Sequence, residues 1–199
     1  MERLSKEQIR SLPLYEGVPI KDIHVIKNKW AALKAVKILE QYTVLGFDTE
    51  SKPTFKKGEV SKGPHLIQLS CPEKTYLFPT RFVPAIEEIK VILSNPNIKK
   101  VGFGVSGDKA TIYRNFGINL RNTEDLSQKV KKFTGLDQRV GARAAVAMLF
   151  KLRLSKSAQK SNWALFPLEE HQIKYAANDA YSALCVELEI ERSNAKSTN

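Results

Sequence analysis

The hexapeptide Leu45-Gly46-Phe47-Asp48-Thr49-Glu50 constrains the fold of this chain more than any other stretch. A short apolar run of this kind reads as a buried strand, and it closes on two acids one residue apart. Side chains at i and i+2 of a strand point to the same side, so Asp48 and Glu50 lie together at its end. Two carboxylates held that close repel each other unless a cation sits between them or one takes a proton. Hard oxygen ligands at such a place suit Mg²⁺ or Mn²⁺. Taken alone, Asp-x-Glu also fits a strand running into an acidic turn.

The surrounding pattern is that of a mixed sheet. Thr43 to Phe47 is expected as a buried strand, His65 to Ser70 as its partner, and Thr75 to Phe78 as a third strand closed by Pro79. Gly63, Pro64 and Pro72 in the links suit hairpin connections. Ile23 to Ile26, Lys100 to Phe103 and Ile118 to Leu120 read as further short strands. Helical spacing covers Trp30 to Gln41, Phe82 to Leu93 and Asp108 to Phe116, then residues 124–133, 141–150 and 167–190. The expected fold is therefore α/β, with three antiparallel strands plus parallel strands in one mixed sheet flanked by helices. Residues 1–20, with Pro13 and Pro19 and no clear period, read as an extended lead-in. Residues 21–192 read as a single domain, and 193–199 as a polar tail.

Charge narrows the partner. Thirty-two Lys and Arg stand against 21 Asp and Glu, a net +11 that favours polyanions, nucleic acid above all. Lys52, Lys56, Lys57 and Lys62 crowd the segment after the Asp48/Glu50 pair. Arg139, Arg143, Lys151, Arg153, Lys156 and Lys160 form a second set further on. Acids at a point with bases around them are what a metal site inside a phosphate-binding groove requires. No apolar run approaches the ~20 residues of a membrane helix, so no membrane partner is expected. The first residues lack a secretory apolar core, and two cysteines are too few for a disulfide framework or a Cys-based zinc site. An intracellular location is expected, nucleus favoured, with the mitochondrion as the alternative.

Two further acidic motifs follow. Val101-Gly102-Phe103-Gly104-Val105-Ser106-Gly107-Asp108 puts an acid at the start of a helix directly after a strand. An acid there also stabilises a helix through its dipole and free N–H groups. Tyr175-Ala176-Ala177-Asn178-Asp179 places Tyr175 and Asp179 four apart on one helix face. Asp179 sits among Ala176, Ala177, Ala180 and Ala183, small residues that imply close packing. A carboxylate in such a place needs a partner or a metal.

The ordered set Asp48, Glu50, Asp108, Tyr175 and Asp179 resembles the signature of the DnaQ-like 3′–5′ exonucleases, in the DEDDy branch with a tyrosine in its third motif. Leu66-Ile67-Gln68-Leu69, Asn162-Trp163, Phe166-Pro167-Leu168 and Tyr175 through Tyr181 resemble the Werner-type exonuclease domain in particular. The likeness spans Ile23 to Glu189. It implies a ribonuclease H-like fold and phosphodiester hydrolysis by two metal ions, Mg²⁺ or Mn²⁺. By position, Asp48 would bridge both ions, while Glu50 and Asp179 hold the one carrying the nucleophilic water. Asp108 would assist the second ion, and Tyr175 would orient the attacking water. The expected product is a 5′-mononucleotide, released one at a time from a free 3′ hydroxyl.

DNA is the favoured substrate, as single strands or 3′ ends, because Asp179-Ala180-Tyr181 resembles the Werner-type branch; a DNA-repair role goes with that. An RNA 3′-end exonuclease of the RNase D-like kind is the first alternative. A non-catalytic nucleic-acid-binding scaffold is the second, although degenerate relatives usually lose acids and here all four stand. Thr49 points away from the two acids, but its backbone is within reach of a terminal nucleotide. Lys52, Lys56 and Lys57 either clamp phosphates or form a solvated basic loop. Trp163 either stacks on a base or anchors the core.

Overall fold

The computed structural model describes residues 2–54 and 62–197. Six strands form one sheet: β1 (Ile23–Val25), β2 (Val44–Glu50), β3 (Leu66–Ser70), β4 (Thr75–Pro79), β5 (Lys99–Gly102) and β6 (Thr123–Asp125). Their spatial order is β1-β4-β3-β2-β5-β6. β2, β3 and β4 pair antiparallel, while β1 on β4, β5 on β2 and β6 on β5 are parallel. This is the mixed sheet the sequence implies, and its fold is ribonuclease H-like.

The helices divide between the two faces. α2 (Lys29–Leu39), α3 (Val83–Leu93) and α4 (Val105–Phe116) cover one face, around Leu45, Phe47, Ile67 and Leu69. α5 (Leu126–Thr134), α6 (Ala142–Phe150) and the long α7 (Glu170–Ser197) cover the other. Strict alternation along β2 sorts its residues. Leu45 and Phe47 enter the first core, whereas Gly46 turns toward α7. Each large side chain buried in this way contributes about 1.5–3 kcal/mol. No helix among the described residues is long and apolar enough to cross a membrane.

Several elements differ from the sequence reading. β2 runs on to Glu50, because β3 pairs with it through Glu50↔Leu66, so both acids sit within a paired strand. α4 begins at Val105, after the left-handed Gly104, and Asp108 lies in its first turn. Ile118 and Leu120 are buried but form no strand. Asn122, at φ 49°, redirects the chain, and Thr123–Asp125 makes the edge ladder instead. α7 continues to Ser197, through the expected polar tail.

The N-terminal segment departs furthest from expectation. It holds a helix, α1 (Lys6–Ser11), closed by a capping box in which the Ser5 hydroxyl accepts from the Gln8 N–H and the Gln8 side chain accepts from the Ser5 N–H. Beyond α1 the chain is sewn to the domain. The Tyr15 N–H donates to the Arg153 carbonyl at 2.9 Å, and the Arg153 N–H donates to the Pro13 carbonyl at 2.8 Å. Asn178 of α7 accepts from the Val18 N–H and donates to the Glu16 carbonyl, each at 3.2 Å. Gly17 between them, at φ 64°, leaves no room for a Cβ, which would stand 1.9 Å from the Asn178 amide oxygen.

Candidate active site

Three elements converge at the end of β2. Asp48 and Glu50 project from one side of the strand, toward α7, and Asp179 meets them from the middle of that helix. Carboxylate oxygens of Asp48, Glu50 and Asp179 lie within 4.8 Å of one another. The approach is possible because small residues line the contact. Ala176, Ala177, Ala180 and Ala183 are buried against the sheet, opposite Gly46. Among the described residues none of these three acids forms an ion pair.

Crowding and burial lift their proton affinities. Asp48 is pushed well above the usual carboxylate range, first by burial and then by the charges of Asp179, Glu50 and Asp108; the Thr49 N–H, donating at 2.9 Å, opposes the shift. Burial, with Asp179 and Asp108 adding to it, raises Glu50 to about 8. Burial raises Asp179 to about 7, against the neighbouring Tyr175 hydroxyl and the nearby charge of Arg143. Half-buried oxygen donors that resist carrying charge together could be relieved by a bound cation. The residues present fit a metal ion bound through oxygen.

Asp108 stands outside this trio. Thr49, alternating to the opposite side of β2 from Asp48 and Glu50, donates its hydroxyl to Asp108 Oδ1 at 2.5 Å. Burial lifts Asp108 to about 6 and the Thr49 bond pulls the other way. Gly102 lets the chain pass from β5 into α4 at this place, since a Cβ there would stand 2.5 Å from the Phe47 carbonyl oxygen. The Thr49 side chain is thus tied to the acidic constellation through Asp108, a bond that strand alternation alone does not foretell.

Tyr175 stands one turn before Asp179 on α7, close enough for its hydroxyl to lower the proton affinity of that carboxylate. Burial and the surrounding acids raise its pKa, so the hydroxyl stays protonated and available as a donor. Trp163 packs on the tyrosine, ring centroids 6.1 Å apart, and is only 2% exposed. The Trp163 ring is buried against Tyr175 in this conformation, the core-anchor placement the sequence allows. Lys52 has an exposed side chain after β2, and its backbone N–H donates to His65 Nδ1 at 3.1 Å. The proposed contacts of Lys56 and Lys57 lie outside the described residues.

A cavity of about 740 Å³ opens over Asp48, Tyr175 and Asp179. Of the second basic set in the sequence, Arg143, Arg153 and Lys156 line it, whereas Arg139, Lys151 and Lys160 do not. Arg143 is held by Gln159, to which its Nη2 donates at 2.8 Å. Arg3, Lys6 and Arg10 line the same cavity from the N-terminal segment and were not anticipated. The Ser5-x-x-Gln8 spacing signals their helix, but nothing local says where that helix docks.

Comparison with known proteins gives a consistent picture. A family model described as 3′–5′ exonuclease matches residues 23–192. The bifunctional 3′–5′ exonuclease/ATP-dependent helicase WRN of Mus musculus is 34% identical over 147 residues, which cover 72% of this chain and 10% of that protein. The chain therefore spans about a tenth of the length of that relative. Among solved structures, the Nibbler EXO domain of Aedes aegypti superposes with a TM-score of 0.76 at 21% identity, covering 90% of this chain and 91% of that one. RNase D of Trypanosoma brucei in complex with RNA U12 also reaches 0.76, at 18% identity, over 92% of this chain and 64% of that one. At these identities the two structures bear on the fold alone.

Proposed function

The chain belongs to the 3′–5′ exonuclease family, whose members are metal-dependent, and from that premise we propose that it removes 5′-mononucleotides one at a time from a free 3′ end, DNA in preference to RNA. The observation that carries this reading is the convergence of Asp48, Glu50 and Asp179, with Tyr175 one helical turn before Asp179 on α7. Asp48, Glu50 and Asp179 would hold a divalent cation, and Asp108 would serve a second. Two such ions, Mg²⁺ or Mn²⁺, would lower the pKa of the attacking water and stabilise the attacking and leaving oxygens of the phosphodiester.

The chain's own groups do the rest. The Tyr175 hydroxyl, braced by Trp163, orients the water toward the phosphorus. The Thr49 hydroxyl keeps Asp108 facing the site. Arg143, near Asp179 and anchored by Gln159, offers a guanidinium to the phosphate. The basic lining of the cavity suits contacts to the phosphates of a single strand, which are sequence-tolerant.

The DNA preference rests on the likeness of Tyr175 through Tyr181 to the Werner-type branch. The RNA alternative is favoured by the shared fold with an RNase D that binds RNA. Contacts to the 2′ position decide between them. The test uses matched 5′-labelled single-stranded DNA and RNA with Mg²⁺ or Mn²⁺, beside an Asp48→Ala control. A one-nucleotide ladder from the 3′ end, absent in the control and abolished by EDTA, is expected, with DNA the faster substrate. Activity indifferent to EDTA would overturn the mechanism, and faster RNA degradation would reverse the substrate assignment.

A further inference from the structure

The N-terminal segment lies outside the stretch matched by the family model, residues 23–192, yet it forms one wall of the catalytic cavity. Leu4 packs against the core beneath α5, α6 and α7, and Arg3 donates to the Gln138 side chain at 3.1 Å, which seats α1 over the site. The wall it presents is cationic. Lys6 and Arg10 are four apart on one face of α1, Arg3 precedes its N-cap Ser5, and all three are exposed. With Arg143, Arg153 and Lys156 they line the cavity that opens on Asp48 and Asp179, and the Arg153 Nε–H donates to the Leu12 carbonyl at 2.9 Å.

Cations gathered in this way want an anion. Among the described residues none of these six makes an ion pair with a carboxylate, although ion pairs occur elsewhere on the molecule. Lys156 has its pKa lowered, first by Arg143, then also by Arg10 and Lys6, the sign of cations repelling one another across open space. Acids and bases lining one cavity would hold a metal at the scissile phosphate and neutralise the phosphates leading to it.

We propose that the N-terminal segment is a phosphate clamp: Arg3, Lys6 and Arg10, together with Arg143 and Lys156, grip the backbone of the single strand that feeds its 3′ end to Asp48 and Asp179. The clamp deepens the exonuclease reading and rests on it for the direction of the strand. Because phosphates carry no sequence information, it raises affinity uniformly and sets a minimum strand length. It makes the leading residues part of the substrate-binding surface of this particular chain.

The experiment compares the full chain with an Arg3→Ala/Lys6→Ala/Arg10→Ala variant and a charge-matched Lys34→Ala/Lys37→Ala/Lys90→Ala control. The control residues are exposed on α2 and α3, on the opposite face of the sheet. Binding of labelled oligothymidylate and oligouridylate of about twelve nucleotides is followed across a salt series in EDTA, so that no cleavage intervenes. Loss of three phosphate contacts should flatten the slope of log K against log salt by about 2, with affinity at low salt falling roughly tenfold or more. The control should keep the full slope. A second variant, Arg3→Gln/Lys6→Gln/Arg10→Gln, preserves helix propensity should the alanines disturb α1. An N-terminal variant with the wild-type slope would overturn the clamp. The two proposals can fail separately, because a flattened slope in a protein that cleaves nothing would retain the clamp and sink the exonuclease reading.

Discussion

A Cβ on Gly46 would stand 2.0 Å from the carbonyl oxygen of Ala180, so β2 and α7 touch there backbone against backbone. This contact sets the width of the site. Asp48 is two residues beyond Gly46 on the same side of the strand, and Asp179 directly precedes Ala180. Any side chain at position 46 would lever the helix outward and pull Asp179 away from Asp48 and Glu50.

Gly46→Ala is therefore expected to act on chemistry as well as on stability. Overpacking of this kind costs about 1–3 kcal/mol. A displacement near 1 Å at a metal-binding carboxylate can cost about 100-fold in rate. Thermal melting beside a nuclease assay with a metal titration checks both effects. Wild-type activity in a folded Gly46→Ala protein would show that the contact does not govern the site.

Tyr175→Phe separates orientation of the water from metal binding. The ring that packs on Trp163 is kept, and only the hydroxyl near Asp179 is lost. The expected outcome is a kcat lower by about 100-fold, at the low end for a positioned proton-handling group, with divalent-ion affinity within a few-fold of wild type. The stability cost should be about 1 kcal/mol. An unchanged kcat would remove the tyrosine from the mechanism.

The metal-free protein should lose stability as pH rises. Burial holds Asp108 at about 6, Asp179 at about 7 and Glu50 at about 8, against ordinary values of 3.8, 3.8 and 4.5. Between those limits the folded chain binds more protons than the unfolded chain, so the unfolding free energy falls with pH. The contribution is fully present below about pH 4 and is lost as pH climbs through the folded values. Melting in EDTA should show a midpoint that drops from about pH 5 to about pH 8, less steeply in Asp48→Asn. Mg²⁺ should restore more stability at the upper end, where the ligands are ionised. A midpoint rising across this window, or equal slopes in both proteins, would contradict the site's electrostatics.

Glu187 tests the framework that holds α7 to the sheet. Its carboxylate is 1% exposed and lies 2.6 Å from Lys99 of β5 and 2.9 Å from Lys129 of α5. Removing one member of a buried charge network costs about 3–5 kcal/mol because the partners are left unpaired. Glu187→Ala should melt markedly earlier in urea while retaining wild-type activity per folded molecule. Undiminished stability would mean that the network contributes only solubility.

Much of the site could be read in the chain because it rests on local periodicity. Two-residue alternation puts Asp48 and Glu50 on one side of a strand, and a four-residue step puts Tyr175 over Asp179 on a helix. The alanines around Asp179 foretell a close approach before any partner strand is known. The misread strand shows the limit of such patterns. Ile118 and Leu120 alternate and are buried as a strand would be, but a turn at Asn122 gives the ladder to the three residues that follow.

The amino-acid order thus settled which acids could serve a metal, the mixed sheet they stand on and the family to which the chain belongs. Folding in three dimensions chose their partners: Thr49 for Asp108, Arg143 beside Asp179, Trp163 as a wall behind Tyr175, and α1 across the mouth of the cavity. Those pairings join residues far apart in the chain. Alternation along a strand or a helix says which side of its own element a residue faces, but which element packs against that side depends on how all the buried surfaces fit together.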